Sequence, residues 1–127
     1  MGEPAAKEGD KIEATDIHNV VIETVPTPMP FLFLGTINGN LSKNVKVMGR
    51  PAATQGSTAT NVPPHVPEGG PFLIPPSNRA VIVLGSFTVM INGKPAARNG
   101  DKALTCNEVP PSVPLGMVIA LGTVLVG

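Results

Sequence analysis

Apolar and polar residues alternate in a short stretch near the middle of the chain, and related stretches occur twice more. Residues 44–48 read Asn-Val-Lys-Val-Met, and the matching stretch 44 positions later, 88–92, reads Thr-Val-Met-Ile-Asn. Such alternation is typical of a half-buried β-strand. The last five residues, 123–127, match 88–92, so we predict three equivalent strands.

A second set of apolar runs predicts three more strands, at 33–37, 80–84 and 117–121, with Gly85 and Gly122 marking turns or bulges. The proline-rich spans 63–76 and 110–114 are too dense in proline for central strands and are predicted as ordered surface loops.

The first part of the chain, in contrast, is predicted to form turns and an extended proline-rich segment. Residues 7–19 are polar and turn-like, and the alternating prolines of 24–30 indicate an extended, polyproline-like backbone. Proline, glycine and β-branched residues interrupt every stretch of the chain, which argues against long helices. The pattern as a whole predicts an all-β protein.

One turn sequence, Gly-x-Pro-Ala-Ala-x-x-Gly followed by Asp or Ser, begins at Gly2, Gly49 and Gly93. Glycine allows positive φ, proline fixes the next φ, and small alanine side chains let three such turns crowd one axis. The strand at 123–127 lacks a following turn, and the turn at Gly2 lacks a preceding strand. Joining the two ends completes a third unit, so we predict a closed pseudo-threefold arrangement with its seam between strand and turn.

Composition narrows the class of protein. The 127 residues suffice for a single domain, 1–127, and the 42% hydrophobic content indicates a packed core despite 14 Gly and 15 Pro. Net charge is zero, and Tyr and Trp are absent, so we expect no nucleic-acid partner. No apolar signal segment follows Met1, and we expect synthesis in the cytoplasm without a signal peptide.

The two histidines and the single cysteine occupy similar places in the three repeats. His18 lies nine residues past Gly9, His65 nine past Gly56, and Cys106 six past Gly100. Repeats arranged around an axis would bring these side chains together, and mixed nitrogen and sulfur ligands suit zinc. We therefore predict a metal site of His18, His65 and Cys106, with Asp16, water or nothing as the fourth ligand. The alternative is two ordinary loop histidines and a buried cysteine.

The repeats resemble those of the PAAR-repeat proteins. Residues 95–98 are the Pro-Ala-Ala-Arg motif itself, and residues 4–7 and 51–54 are variants of it. The resemblance covers essentially the whole chain. It implies a small, sharp cone of short β-hairpins and Pro/Gly-rich loops with internal pseudo-threefold symmetry. It also implies a zinc ion near the apex, with iron as the alternative, held by three His and one Cys. His18, His65 and Cys106 match three of those ligands, and Phe31 stands where the fourth would be.

The resemblance further implies a function. Such proteins form the structural tip that sharpens and caps the trimeric, VgrG-like spike of type VI secretion and related contractile injection systems. We therefore expect no catalysis, transient contact with a target membrane, effector cargo as a further partner, and delivery outside the cell or into target cells. The chain begins at its first repeat and ends within a residue of its last strand, so we expect no fused effector domain.

Such a tip would dock on the spike through an apolar base. The sequence does not distinguish residues of this base from core residues; the candidates for either role are Phe33, Leu34, Leu84, Phe87 and Leu121. Two rival functions are considered. A small zinc-dependent hydrolase would use an open metal position, with Glu13, Glu23 or Glu68 as general base. A free-standing adhesion or ligand-binding module is the third class.

Overall fold

Backbone pairing organises the chain into a six-stranded barrel and three two-stranded ribbons. The computed structural model describes residues 2–108 and 114–127, and within these ranges it contains twelve strands and no helix. No helix long and apolar enough to span a membrane therefore occurs in the described residues. Most of the predicted loop at 110–114 lies outside them. The strands are β1 Glu3–Pro4, β2 Lys11–Ile22, β3 Val25–Gly39, β4 Lys46–Val47, β5 Arg50–Pro51, β6 Thr58–Asn61, β7 Arg79–Ile82, β8 Met90–Ile91, β9 Lys94–Pro95, β10 Lys102–Leu104, β11 Gly116–Ile119 and β12 Leu125–Val126.

The barrel is closed, and each repeat contributes one antiparallel hairpin to it. Its strand order is β10-β11-β2-β3-β6-β7, so the hairpins β2–β3, β6–β7 and β10–β11 follow one another around the barrel. Closure of a sheet removes the unpaired edges that would otherwise template aggregation. The predicted all-β fold of repeated hairpins is confirmed.

The three ribbons lie where the turn repeats occur. Strands β4–β5 and β8–β9 each form a ribbon within one repeat, whereas β1 pairs with β12 from the other end of the chain. Glu3 lies opposite Val126 and Pro4 opposite Leu125. The predicted seam between the last strand and the first turn is therefore confirmed.

The first glycine of the repeat serves a tight hairpin in two of the three ribbons. Met48 and Gly49 have φ of 52° and 82°, and Asn92 and Gly93 have φ of 53° and 77°. Two successive positive φ angles are typical of a type I′ turn, whose twist matches the flanking strands and which favours glycine at its second position.

A ring of hydrogen bonds joins the three repeats at their second alanine. The N–H of Ala6 donates to the carbonyl of Ala97 (2.9 Å), that of Ala97 to Ala53 (3.1 Å), and that of Ala53 back to Ala6 (3.0 Å). A second cycle of 2.9 Å hydrogen bonds joins the same repeats. In it, the N–H groups of Glu8, Gln55 and Asn99 donate to the carbonyls of Pro51, Pro95 and Pro4, respectively. Every repeat is thus bonded to both of the others by the same backbone atoms.

Small side chains make this ring sterically feasible. Ala6, Ala53 and Ala97 are at most 1% exposed, and the preceding alanine of each repeat is buried as well. Three backbones can approach a common axis only where each side chain is little more than a methyl group. This is the reason for the alanine pair that the sequence repeats three times.

The alanine pairs lie where two apolar clusters meet. The first alanine of each pair belongs to the ribbon cluster with Val47 and Val126, and the second belongs to the barrel cluster with Ile12, Phe33 and Ile82. Among the candidates for a docking base, Phe33 belongs to the core, Leu84 is half-buried, and the other three are exposed: Leu34, Phe87 and Leu121.

Two expectations for the first hairpin are wrong. Residues 7–19 are mostly strand β2 rather than turns, and the prolines at 24–30 lie in strand β3 rather than in a polyproline segment. Pro26, Pro28 and Pro30 alternate along β3, so their nitrogens face the side away from β2. Strand β3 pairs with β6 only from Gly35 onward, so the missing N–H groups cost no ladder hydrogen bond.

We predict that Ala53→Val lowers the free energy of unfolding by about 1–3 kcal/mol, because two extra methyl groups would push the repeats apart at the axis. Urea denaturation followed by far-UV circular dichroism measures the change. The matched control is Val81→Ile, which adds a methyl group to a half-buried side chain of β7 and should change stability by less than about 0.5 kcal/mol. Equal effects of the two substitutions would contradict the crowded axis.

Candidate metal centre

Strand β2 carries a row of inward side chains that changes from apolar to polar along its length. Ile12 and Ala14 belong to the barrel core, Asp16 and His18 follow on the same face, and Val20 closes the row. All five are buried, because successive residues of a strand point to opposite sides and every second one faces the barrel interior. An acid and an imidazole therefore lie at the end of the barrel away from the alanine ring.

The other two repeats bring one side chain each to the same place. His65 lies four residues beyond the end of β6, and Cys106 two residues beyond the end of β10. Cys106 Sγ is 3.6 Å from His18 Nε2 and 3.3 Å from Asp16 Oδ2, and His65 Nε2 is 3.0 Å from the same Asp16 oxygen. The structure thus places all three sequence-predicted residues together, with Asp16 as a fourth member.

The spacing of these atoms fits a metal ion. One nitrogen, sulfur or oxygen atom from each of Asp16, His18, His65 and Cys106 lies within 4.8 Å of the others. A tetrahedral zinc ion with bonds of about 2.0–2.3 Å places its ligand atoms roughly 3.3–3.8 Å apart. Three of the separations, 3.0, 3.3 and 3.6 Å, are close to those values, so the cluster could hold a metal ion.

Asp16 is the hydrogen-bond acceptor at the centre of the cluster. Its side chain is fully buried, Oδ1 accepts a hydrogen bond from Thr105 Oγ1, and Oδ2 accepts from Cys106 Sγ and His65 Nε2. A buried carboxylate is stable only when its charge is compensated by such donors or by a cation. The site therefore concentrates negative charge where a cation would bind.

Two asparagines orient His65. Asn61 Nδ2 lies 3.3 Å from His65 Nδ1, and its Oδ1 accepts the N–H of Leu34 at 2.9 Å. Asn78 Oδ1 accepts both from Asn61 Nδ2 (3.1 Å) and from the N–H of His65 (2.9 Å). These bonds hold the imidazole with Nε2 directed toward Asp16.

His18 is oriented by a carboxylate on its other side. Glu108 Oε1 lies 3.8 Å from His18 Nδ1, and the Glu108 side chain accepts hydrogen bonds from Asn19 N (3.1 Å) and Asn19 Nδ2 (2.8 Å). A carboxylate behind a ligating imidazole is a common arrangement in metal sites, since it fixes the ring and raises its basicity. His18 Nε2 consequently faces the cluster.

Electrostatics of the metal-free cluster favour neutral ligands. Burial, followed by the nearby His65, lowers the pKa of His18 below its usual value. Burial and the charge of Asp16 raise the pKa of the Cys106 thiol to about 12. Both shifts favour the uncharged forms of the His18 imidazole and the Cys106 thiol at neutral pH.

Aromatic rings surround the two imidazoles. The ring centroid of Phe31 lies 5.8 Å from that of His18 and 5.4 Å from that of His65, and the Phe72 centroid lies 5.8 Å from that of His18. Phe33 approaches His65 at 6.1 Å. Phe31 therefore contributes an apolar wall to the site, which lowers its effective dielectric constant and strengthens electrostatic interactions within it.

Sequence reasoning left Asp16 as one of three options for the fourth ligand. The signal that identifies it is the alternation Ile12, Ala14, Asp16, His18 against polar neighbours, which places the acid on the same face as the imidazole. The candidate general bases of the rival hydrolase are not in the cluster: Glu13, Glu23 and Glu68 are all exposed.

Fold and cluster together define the class: a small all-β repeat protein whose three hairpins meet at a group of side chains that could hold a metal ion. A family model described as PAAR motif matches residues 34–108, which are 75 of the 127 residues, and the chain belongs to this family. A comparison with curated proteins gave no match.

Membership of the PAAR family indicates the general role of the chain. The PAAR motif is associated with the spike tips of type VI secretion systems, which supports a spike-tip role for this chain. The family is a structural one, not known for enzymatic activity, and its members are extracellularly delivered spike components associated with VgrG.

Proposed function

We propose that this protein is the tip of a contractile injection machine, of the type VI secretion class or a related extracellular system. It sharpens and caps the trimeric spike, aids membrane puncture and offers a surface for effector cargo. The observation that carries the proposal is the cyclic bonding of the three repeats, in a chain of the PAAR family. A single chain whose three repeats are bonded alike can present similar contacts to each of three identical subunits.

The ribbon end of the molecule offers an apolar docking face. Phe87 is 83% exposed and Leu121 77% exposed, and they lie in the segments that lead into β8 and β12. Leu125 and Met90 on the ribbons themselves are both 60% exposed. Exposed apolar side chains of this kind can form an interaction surface, although others, such as Val66 and Ile74, are exposed in the loop between β6 and β7. The ribbon end is the face that we assign to the VgrG-like spike.

At the opposite end, we assign to His18, His65 and Cys106 the role of metal ligands, with zinc as the ion and iron as the alternative. The three residues are separated by 65 − 18 = 47 and 106 − 65 = 41 positions in sequence. An ion bound there connects all three hairpins, and closing such long loops removes much conformational freedom from the unfolded chain. A rigid apex is what a puncturing tip requires.

For the metal, we predict about one zinc ion per chain by elemental analysis of purified protein. His65→Ala and Cys106→Ser should each reduce the content to well below one half. Removal of the ion by a chelator should lower the free energy of unfolding by several kcal/mol, measured by thermal denaturation. The control is Glu68→Gln, which changes an exposed acid in the loop that carries His65 and should leave metal content unchanged. Metal-free wild-type protein would contradict this assignment.

For docking, we predict one tip bound per three subunits of a trimeric spike protein, measured by analytical ultracentrifugation of the mixture. Leu121→Asp should weaken binding at least tenfold, because it places a charge in the apolar face. The matched control is Leu32→Asp: Leu32 is 66% exposed but lies on β3 of the barrel, and its substitution should not affect binding. One tip per spike subunit, or equal effects of the two substitutions, would contradict the proposal.

A further inference from the structure

We propose that Asp16 is the fourth ligand of the metal ion and that its charge selects a divalent cation over a monovalent one. The inference rests on the proposed metal site of His18, His65 and Cys106. Asp16 supplies an oxygen to a site whose other ligands are two nitrogens and a sulfur, and it does so from the same strand face as His18.

The hydrogen bonds of Asp16 determine which oxygen is available. Oδ1 is engaged by the hydroxyl of Thr105, whereas Oδ2 faces His65 Nε2 at 3.0 Å and Cys106 Sγ at 3.3 Å. Both of these partners are ligand atoms: on binding an ion the Cys106 thiol would lose its proton, and the Nε2 proton of His65 would move to Nδ1, so that the imidazole stays neutral. Oδ2 is therefore the oxygen that would hold the ion, and Thr105 is the positioning residue that keeps the carboxylate turned toward it.

Charge balance provides the selectivity. A bound thiolate and a carboxylate contribute two negative charges, and two imidazoles contribute none, so a divalent cation makes the four-ligand group neutral. The group is largely enclosed, with side chains of Asp16, His18 and His65 at most 3% exposed, and a residual charge there is costly. Glu108, the other acid near the site, is partly exposed and compensated by two hydrogen bonds from Asn19.

Removal of the carboxylate should weaken the preference for a divalent ion. With Asp16 replaced by an uncharged residue, the ligand group carries only the thiolate charge, which a monovalent ion balances. Cu(I) is such an ion, and it is soft enough to favour thiolate ligands. The zinc-to-copper(I) affinity ratio is therefore a direct measure of what Asp16 contributes.

The register of the first hairpin suggests a substitution that could replace the ligand lost with Asp16. Asp16 on β2 lies directly opposite Phe31 on β3, and directly opposed residues of an antiparallel pair project from the same face of the sheet. The ring of Phe31 already lies between 5 and 6 Å, centroid to centroid, from both imidazoles. A histidine at position 31 therefore places a nitrogen near the site from the facing strand.

A first experiment needs no substitution. The chain contains only three aspartates, Asp10, Asp16 and Asp101, so protein labelled with ¹³C at the aspartate carboxyl carbon gives three signals. Titration of the metal-free protein with zinc should shift the Asp16 signal and leave those of Asp10 and Asp101 nearly unchanged. Zinc bound at one equivalent with no movement of the Asp16 signal would overturn the proposal.

A second experiment tests selectivity by chelator competition. Asp16→Asn should lower zinc affinity by about 100-fold or more, since the loss of even an outer-shell partner costs 10–100-fold. Its affinity for Cu(I) should fall far less, so that the zinc-to-copper ratio drops. Glu13→Gln is the control: it removes an acid from the exposed face of the same strand and should leave both affinities, and hence their ratio, near those of the wild type. Circular dichroism verifies that each variant is folded.

The double variant Asp16→Asn with Phe31→His should recover at least tenfold of the lost zinc affinity. Cobalt(II) in place of zinc then reports the geometry, because a four-ligand tetrahedral site gives intense visible absorption bands. Asp16→Asn with wild-type zinc affinity and an unchanged cobalt spectrum would overturn the inference while leaving the metal site of His18, His65 and Cys106 intact. Absence of metal from the wild-type protein would instead reject the proposed site itself.

Discussion

Three backbone hydrogen bonds between Ala6, Ala53 and Ala97 hold the molecule together at its axis. Each joins residues more than forty positions apart in sequence, and together they form a closed cycle. Once the cycle forms, the strand that follows each turn must leave the axis in the same direction, and the three hairpins close into a barrel. The side chains at the ring must be small, which explains why alanine pairs recur where other turns would accept larger residues.

The barrel strands extend the threefold arrangement of the ring to the other end of the barrel. Strands β2, β6 and β10 each begin shortly after the ring, and each leads to one of His18, His65 and Cys106. The cluster is therefore assembled by the same threefold bonding that aligns the ribbons. The ribbon end carries exposed apolar residues such as Phe87 and Leu125, and the far end carries the buried polar cluster. In the proposed function, the first end binds a trimeric spike and the second is the braced apex.

The sequence revealed the repeats more readily than it revealed the first hairpin. The turn motif and its spacing predicted the pairing of the chain ends, because three copies in phase require a common backbone geometry. The β2–β3 hairpin was missed since its turn uses Glu23 and Thr24, with φ of 49° and 69°, in place of the usual Asn-Gly. The prolines of β3 obscured that strand further. Strands β6 and β10 were missed because the only buried apolar residue of each is an alanine, Ala59 and Ala103, which gives a weak hydrophobic pattern. Asp16 was left among the options because an acid in a polar segment is ordinarily solvated; only its burial within a strand marks it as part of the cluster.

Amide hydrogen exchange at the ring tests the account most directly. If the cycle of Ala6, Ala53 and Ala97 holds the three repeats, their amides can exchange only when the whole domain unfolds. The three should then show the same free energy of exchange, equal to that of global unfolding. Exchange of any one of them through a local opening, at a free energy well below the global value, would contradict the central role of the ring.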